Sequence, residues 1–90
     1  MVKDNLTMRK QLFEEILKLQ TVEECELFFD DLCTIKEIDA MCQRVAAAKM
    51  LLDGKTYNEV IEKTEISSAT LSRVSKCVQY GKGYTSVLKK

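Results

Sequence analysis

The sequence predicts an all-α fold, and three observations carry this prediction. Proline is absent and glycine occurs three times in 90 residues, whereas leucine, lysine and glutamate, which favour helices, are abundant. Apolar residues recur at helical spacing along most of the chain. A Thr-x-x-Glu pattern occurs before three apolar segments, and it marks helix beginnings because both side chains pair with backbone amides that a helix leaves unsatisfied.

These patterns place the helices along the chain. The Thr-x-x-Glu boxes begin at Thr21, Thr34 and Thr56. Gly54 is suited to end a long helix because glycine readily adopts positive φ, and a short break follows at 65–67 before the last predicted helix. The predicted helices are, in order, about 8–19, 22–33, 35–53, 57–64 and 68–80.

The helix predicted over 35–53 is apolar on nearly every side, which requires burial on several sides. A chain of 90 residues offers little else to bury it. Phe28 and Phe29 lead to the same conclusion, because adjacent helical residues point about 100° apart and therefore need two different covering surfaces. We expect a homodimer with this long helix at its centre. The alternative is a monomer whose first helices wrap around the long one.

Several classes of function are excluded by residue types. The four cysteines form no Cys-x-x-Cys pair and histidine is absent, so no metal site is expected. No nucleophile has an evident base and no glycine-rich phosphate loop occurs, so the chain is not expected to be an enzyme. The sequence contains no secretory segment or apolar run of about 18 residues. We therefore expect a cytoplasmic protein with no membrane partner.

The charge distribution favours a polyanion as the partner. The formal net charge is zero, but residues 1–43 carry five basic and ten acidic side chains, whereas residues 44–90 carry nine basic and four acidic ones. Such an asymmetry between an acidic and a basic half is a hint of a polyanion partner.

Residues 56–80 have the pattern of a helix-turn-helix, two helices joined by a short turn. Val60 and Ile61 in the first helix are expected to face inward, and Ile66 in the turn is expected to fill the angle between the helices. A stripe at i, i+3 and i+7 should fasten the second helix to the body. That stripe consists of Leu71, Val74 and Val78.

The other face of the second helix has no acidic residue and is rich in hydroxyl groups. Small side chains at the beginning of such a helix can enter a DNA major groove, and the basic residues one turn later can reach phosphates or guanine. This face consists of Ser68, Ala69, Thr70, Ser72, Arg73, Ser75, Lys76 and Gln79.

We therefore predict double-stranded DNA as the partner. The alternative is a protein-interaction module that uses the helix-turn-helix as a scaffold, and the zero net charge and Glu65 favour it. The predicted DNA-binding residues are Thr56, Asn58, Ser67, Ser68, Ala69, Thr70, Ser72, Arg73 and Lys76.

Four runs of the sequence resemble the Trp-repressor-like helix-turn-helix family, and the likeness extends over about residues 10–88. These runs are Gln43-Arg44-Val45, Leu51-Leu52-Asp53-Gly54, Thr56-Tyr57-Asn58-Glu59-Val60 and Ile66-Ser67-Ser68-Ala69-Thr70-Leu71-Ser72-Arg73-Val74. Two further runs resemble the YerC/YecD-type subgroup: Phe28-Phe29-Asp30-Asp31-Leu32-Cys33-Thr34 and Lys76-Cys77-Val78-Gln79-Tyr80-Gly81.

The resemblance implies an intertwined homodimer of six-helix subunits that binds a two-fold operator and regulates transcription, as a repressor. It also implies a single domain over 1–90. Within that domain, residues 1–55 would form the dimerisation helices, 56–80 the helix-turn-helix, and 81–90 a short C-terminal helix or tail.

The resemblance further implies a ligand pocket. Arg44 and Arg73 correspond to the arginines that hold the corepressor in the Trp repressor, and Thr34 and Thr70 to other pocket positions. Val74 stands where the family has a glycine beside the indole, so we do not expect tryptophan to bind; Cys77 similarly replaces a pocket serine. No cofactor is predicted, and a different small-molecule corepressor stays open. Alternatively, the two arginines cap helices or contact phosphate.

Glu65 replaces the glycine that the family has in the turn. Either Glu65 adopts a strained left-handed conformation, which costs of order 1 kcal/mol, or the turn needs no left-handed residue.

Overall fold

The computed structural model describes residues 4–89, which form six α-helices and no strand. Residues 1–3 and 90, the outer ends of the predicted segments 1–55 and 81–90, lie outside the described residues. The predicted all-α fold is confirmed. The helices are α1 (Asn5–Ile16), α2 (Val22–Leu32), α3 (Ile35–Leu52), α4 (Tyr57–Thr64), α5 (Ser68–Tyr80) and α6 (Gly83–Leu88).

The chain divides into two compact units, the first containing α1 and α2 and the second beginning at Ile35 with α3. No described helix has the length and apolarity that a transmembrane span requires.

The first helix begins earlier than its apolar pattern predicted. Asp4 is its N-cap: the carboxylate accepts hydrogen bonds from the Leu6 amide at 3.0 Å and the Thr7 hydroxyl at 2.6 Å. The Thr7 hydroxyl, followed by the Leu6 amide, lowers the pKa of Asp4 because both favour the charged carboxylate. The prediction of 8–19 was therefore wrong by three residues at each end. At the beginning, the reason is that a capping carboxylate fixes the first residue more strongly than apolar spacing does.

Two of the predicted capping boxes are confirmed. The Thr21 hydroxyl accepts from the Glu24 amide at 3.1 Å, and the Glu24 carboxylate accepts from the Thr21 amide at 3.2 Å. The pair Thr56 and Glu59 repeats this arrangement at 3.2 and 3.1 Å, and the Thr56 amide lowers the pKa of Glu59. The box at Thr34 stays a prediction.

The first unit leaves much apolar surface exposed. None of the described residues of α1 or α2 is buried, and Phe13, Leu17 and Leu27 are 58%, 83% and 72% exposed. Phe28 and Phe29 are half-buried and pack edge to face, with ring centroids 5.7 Å apart. Large apolar side chains are exposed together on this surface, whereas soluble proteins seldom leave such a large apolar patch in contact with water.

The second unit is built around α3, which contacts α4, α5 and α6. The predicted inward positions are confirmed, with Ile61 and Val78 half-buried at the margin of the core. Alanine at two core positions of α3 lets the neighbouring helices approach closely. The buried core consists of Ala47, Ala48, Val60, Ile66, Leu71 and Val74.

Candidate nucleic-acid interface

The turn between α4 and α5 is closed by a left-handed residue. Glu65 has φ 61° and ψ 18°, and its amide donates to the Ile61 carbonyl at 2.8 Å. The alternative of a turn without a left-handed residue was therefore wrong. Gln43 of α3 also supports this turn, because its side-chain amide donates to the Thr64 carbonyl at 3.2 Å. Ile66 then lies in the core at 2% exposure, which fixes where α5 begins.

Ser67 is the N-cap of α5. Its hydroxyl oxygen accepts from the Thr70 amide at 3.2 Å, and it lies 2.9 Å from the Thr70 hydroxyl, with which it shares a hydrogen bond. Ser67 thus has a structural task besides the DNA contact that the sequence predicted for it. The side chain nevertheless remains exposed, at the end of the helix where amides carry partial positive charge.

The outer face of α5 is exposed over its whole length. At 100° per residue, its exposed residues occupy about 140° of the helix circumference. The apolar stripe of α5 lies on the other side, where Leu71 and Val74 are 0% and 1% exposed. The exposed residues of this face are Ser68, Ala69, Ser72, Arg73, Lys76 and Gln79.

Two hydroxyl residues assigned to this face lie elsewhere. Ser75 is 8% exposed, so its assignment to the outer face was wrong. Ser75 lies one turn after Leu71 and therefore shares the side of α5 that packs on the core. Thr70 is half-buried, and its hydroxyl is engaged with Ser67.

Thr56 and Asn58 are exposed at the beginning of α4. Thr56 is committed to the capping box, which leaves its hydroxyl oxygen at the positive end of this helix. Such a helix end suits a phosphate oxygen.

A cavity of about 470 Å³ lies beside α5. It brings together Arg44, Thr70 and Arg73, three residues of the pocket that the resemblance implies. Thr34 belongs to the first unit, and its place in such a pocket stays a prediction. Two guanidinium groups that line the same cavity suit an anionic group. The cavity is lined by Arg44, Ala69, Thr70, Arg73, Val74, Cys77 and Tyr84.

Tyr84 is the residue of this cavity to which the sequence had assigned no role. It lies in α6, a helix of six residues with too few apolar positions to show a period. The available signal was the single aromatic residue that follows Gly81 and Gly83.

The fold and the site define a helix-turn-helix protein with an acid-free second helix beside a cavity that holds two arginines. The model of the Trp repressor protein family matches residues 8–90. The chain belongs to the Trp repressor family, which the resemblance in the sequence predicted.

The relatives of the chain agree with this assignment. YerC of Bacillus subtilis strain 168, an uncharacterised protein, is 52% identical over 71 residues, which cover 79% of this chain and 68% of YerC. The crystal structure of a candidate Trp repressor from Staphylococcus aureus has a TM-score of 0.88 and 43% identity, covering 92% of this chain and 84% of that one. The crystal structure of a TrpR-like protein from Eubacterium eligens ATCC 27750 has a TM-score of 0.84 and 46% identity, and the match covers 89% of this chain and 84% of that one. Membership of this family suggests a DNA-binding regulator.

Proposed function

We propose that the chain is a sequence-specific DNA-binding transcriptional regulator, a repressor, that binds a two-fold operator as a homodimer. The outer face of α5 is the observation that carries this proposal. It is exposed and acid-free, and it begins with small side chains at a helix N-terminus. A recognition helix of a helix-turn-helix uses its N-terminal residues in the same way.

The residues of α4 and α5 divide into base contacts and phosphate contacts in this proposal. Ser68, Ala69 and Ser72 are small enough to approach base edges and thymine methyl groups in the major groove. Arg73 and Lys76 reach guanine or phosphate from the next turn. Thr56, Asn58 and Ser67 lie at the beginnings of the two helices, where phosphate oxygens bind favourably, and Thr70 supports Ser67.

The homodimer accounts for the apolar surface of the N-terminal helices. The side chains of α1 and α2 that are exposed in one chain would be buried by a second copy, as would Ile35 of α3, which is 78% exposed. Residues 1–55 would thus form the dimerisation segment, 56–80 the DNA-binding segment, and 81–90 a C-terminal helix that supports α5. Half-sites should lie about 34–36 Å apart, one turn of DNA.

The test begins with selection of genomic DNA fragments on the purified protein, followed by fluorescence anisotropy with an enriched duplex. We expect Arg73→Ala and Lys76→Ala to weaken binding, whereas Lys18→Ala, a change at an exposed basic residue in the turn after α1, should bind like the wild type. Undiminished binding in both α5 variants would exclude this face as the DNA contact.

A protein-interaction module is the second candidate, and the carboxylate of Glu65 beside α5 is the observation that favours it. It predicts that selection enriches no DNA fragment and that a partner protein co-purifies with the chain instead.

The cavity supports a small-molecule corepressor as an accessory proposal. Arg44 and Arg73 would hold an anionic group, and Thr70 would add a hydroxyl. The buried side chain of Val74 in the wall argues against tryptophan. Operator affinity measured with and without a panel of small carboxylic acids tests this proposal, and an affinity that no acid changes would contradict it.

A further inference from the structure

The chain reverses sharply after α5, and Gly81 permits this reversal. Its amide still donates to the Cys77 carbonyl at 2.9 Å, but its backbone is extended, with φ −86° and ψ 175°. A Cβ at this position would lie 2.7 Å from the Cys77 carbonyl oxygen. That oxygen belongs to the helix backbone and cannot turn aside as a side chain could. The reversal therefore requires glycine.

The reversal returns α6 onto the second unit, where α6 contacts both α3 and α5. Tyr84 and Leu88, four residues apart and hence on one side of the helix, pack against the buried core. Val87 of α6 is 62% exposed and is not among the residues packed against the core. The short helix is therefore anchored by the side chains of Tyr84 and Leu88, and it connects α5 to α3.

Of these two anchoring residues, Tyr84 is the one that lies next to α5. It lines the cavity that Arg44 of α3 and Arg73 of α5 share. It also lines a smaller, apolar crevice of about 310 Å³ whose other walls are Cys77, Gly81 and Gly83. Tyr84 thus borders both open spaces, and with Leu88 it is one of two α6 residues that pack against the core.

We propose that Tyr84 is a positioning residue for DNA recognition: its side chain, packed against the buried core beside the cavity that α3 and α5 line, holds the DNA-contacting helix in place. Removing the ring would enlarge the open space beside α5 and weaken the packing of α6 on α5. The helix that is proposed to read DNA is thus held by a segment that carries none of the proposed DNA contacts.

The first test measures DNA affinity, and this readout rests on the proposed function. With a duplex enriched on the wild-type protein, we expect Tyr84→Ala to lose about ten-fold in affinity, the scale of effects transmitted by residues without ligand contact. Tyr84→Phe keeps the ring and should bind within about two-fold of the wild type, as should Val87→Ala, the control in α6. Wild-type affinity in Tyr84→Ala would overturn the proposal.

The second test needs no DNA, so it separates failure of this proposal from failure of the proposed function. Amide hydrogen exchange of the free protein should become about ten-fold faster in α5 of Tyr84→Ala, while α4 exchanges as in the wild type. Equal acceleration in α4 and α5 would show a general loss of stability and overturn the proposal. If Tyr84→Ala does not fold, Tyr84→Leu, which keeps an apolar anchor without the ring, should show the same α5-selective change. Unchanged exchange in Tyr84→Leu would then overturn it.

Discussion

Glu65 combines two unfavourable features at one residue. Its left-handed backbone strains a side chain that has a Cβ, and its carboxylate is exposed beside the helix proposed to read DNA. Glycine would remove both features, because it adopts positive φ at no steric cost.

We expect Glu65→Gly to raise the free energy of unfolding by up to about 1 kcal/mol and also to tighten DNA binding. Glu65→Gln is the matched variant: it keeps the strained backbone and removes only the charge, so it should tighten binding without raising stability. Urea denaturation and fluorescence anisotropy measure the two effects. A Glu65→Gly variant no more stable than Glu65→Gln would contradict the assignment of strain to this turn.

Ser67 and Ser68 are adjacent hydroxyl residues with different tasks. The Ser67 hydroxyl caps α5 through the Thr70 amide, whereas Ser68 is the first residue of the exposed face. Loss of an N-cap hydroxyl costs about 1 kcal/mol of stability. We expect Ser67→Ala to lower the free energy of unfolding by this amount and Ser68→Ala to leave it unchanged while weakening operator binding. Thermal or urea unfolding of both variants checks the difference, and equal stability losses would refute it.

At the scale of elements, the sequence predicted the helices whose ends carry side-chain caps. The boundaries of α4 matched because Thr56 and Glu59 form a reciprocal box, and α5 followed from its apolar stripe. The beginning of α1 was missed because Asp4 caps it without a glutamate partner. Ser75 was assigned to the exposed face because serine is a polar residue type. Its position four residues after the buried Leu71 is the signal that indicated burial.

The position of the short C-terminal helix α6 could not be predicted from the local sequence pattern. The sequence left 81–90 as a helix or a tail, because α6 is too short to display a period. Its place depends on the reversal at Gly81 and on contacts with α3, which is distant in sequence. The cavity therefore contained an aromatic residue that neither spacing nor composition could place.

Gly81 and Gly83 offer a matched test of this connection. A Cβ at Gly81 would meet the Cys77 carbonyl oxygen, whereas one at Gly83 would meet no atom within 4 Å. We expect Gly81→Ala to destabilise the protein by about 1–3 kcal/mol, because a backbone clash must be relieved by moving α6. Gly83→Ala should be neutral or slightly stabilising, since alanine favours a helix. Urea denaturation compares them, and equal stability would contradict the account of the reversal.

At the scale of the whole molecule, the two units differ in how they bury apolar residues. The second unit has its own core, whereas the described residues of α1 and α2 include none that is buried. A single chain therefore leaves an apolar surface that a second copy would cover in the proposed homodimer.

We expect the wild-type protein to be dimeric at micromolar concentration and Leu27→Asp to be monomeric or unfolded, because a charge would enter the buried interface. Val87→Asp is the control, since Val87 is comparably exposed but lies in α6, outside the proposed dimerisation segment. Sedimentation velocity measures the state of each variant. A monomeric wild type, or dimers retained in Leu27→Asp, would contradict the proposed interface.

The central claim is that the outer face of α5 contacts DNA, and the salt dependence of binding tests it most directly. Each phosphate contact that a basic side chain makes adds nearly one unit to the slope of log affinity against log salt concentration. If both residues contact phosphate, the double variant with Arg73→Ala and Lys76→Ala should bind an enriched duplex more weakly, with a slope reduced by about two. A slope and an affinity equal to those of the wild type would show that DNA, if bound, is bound elsewhere.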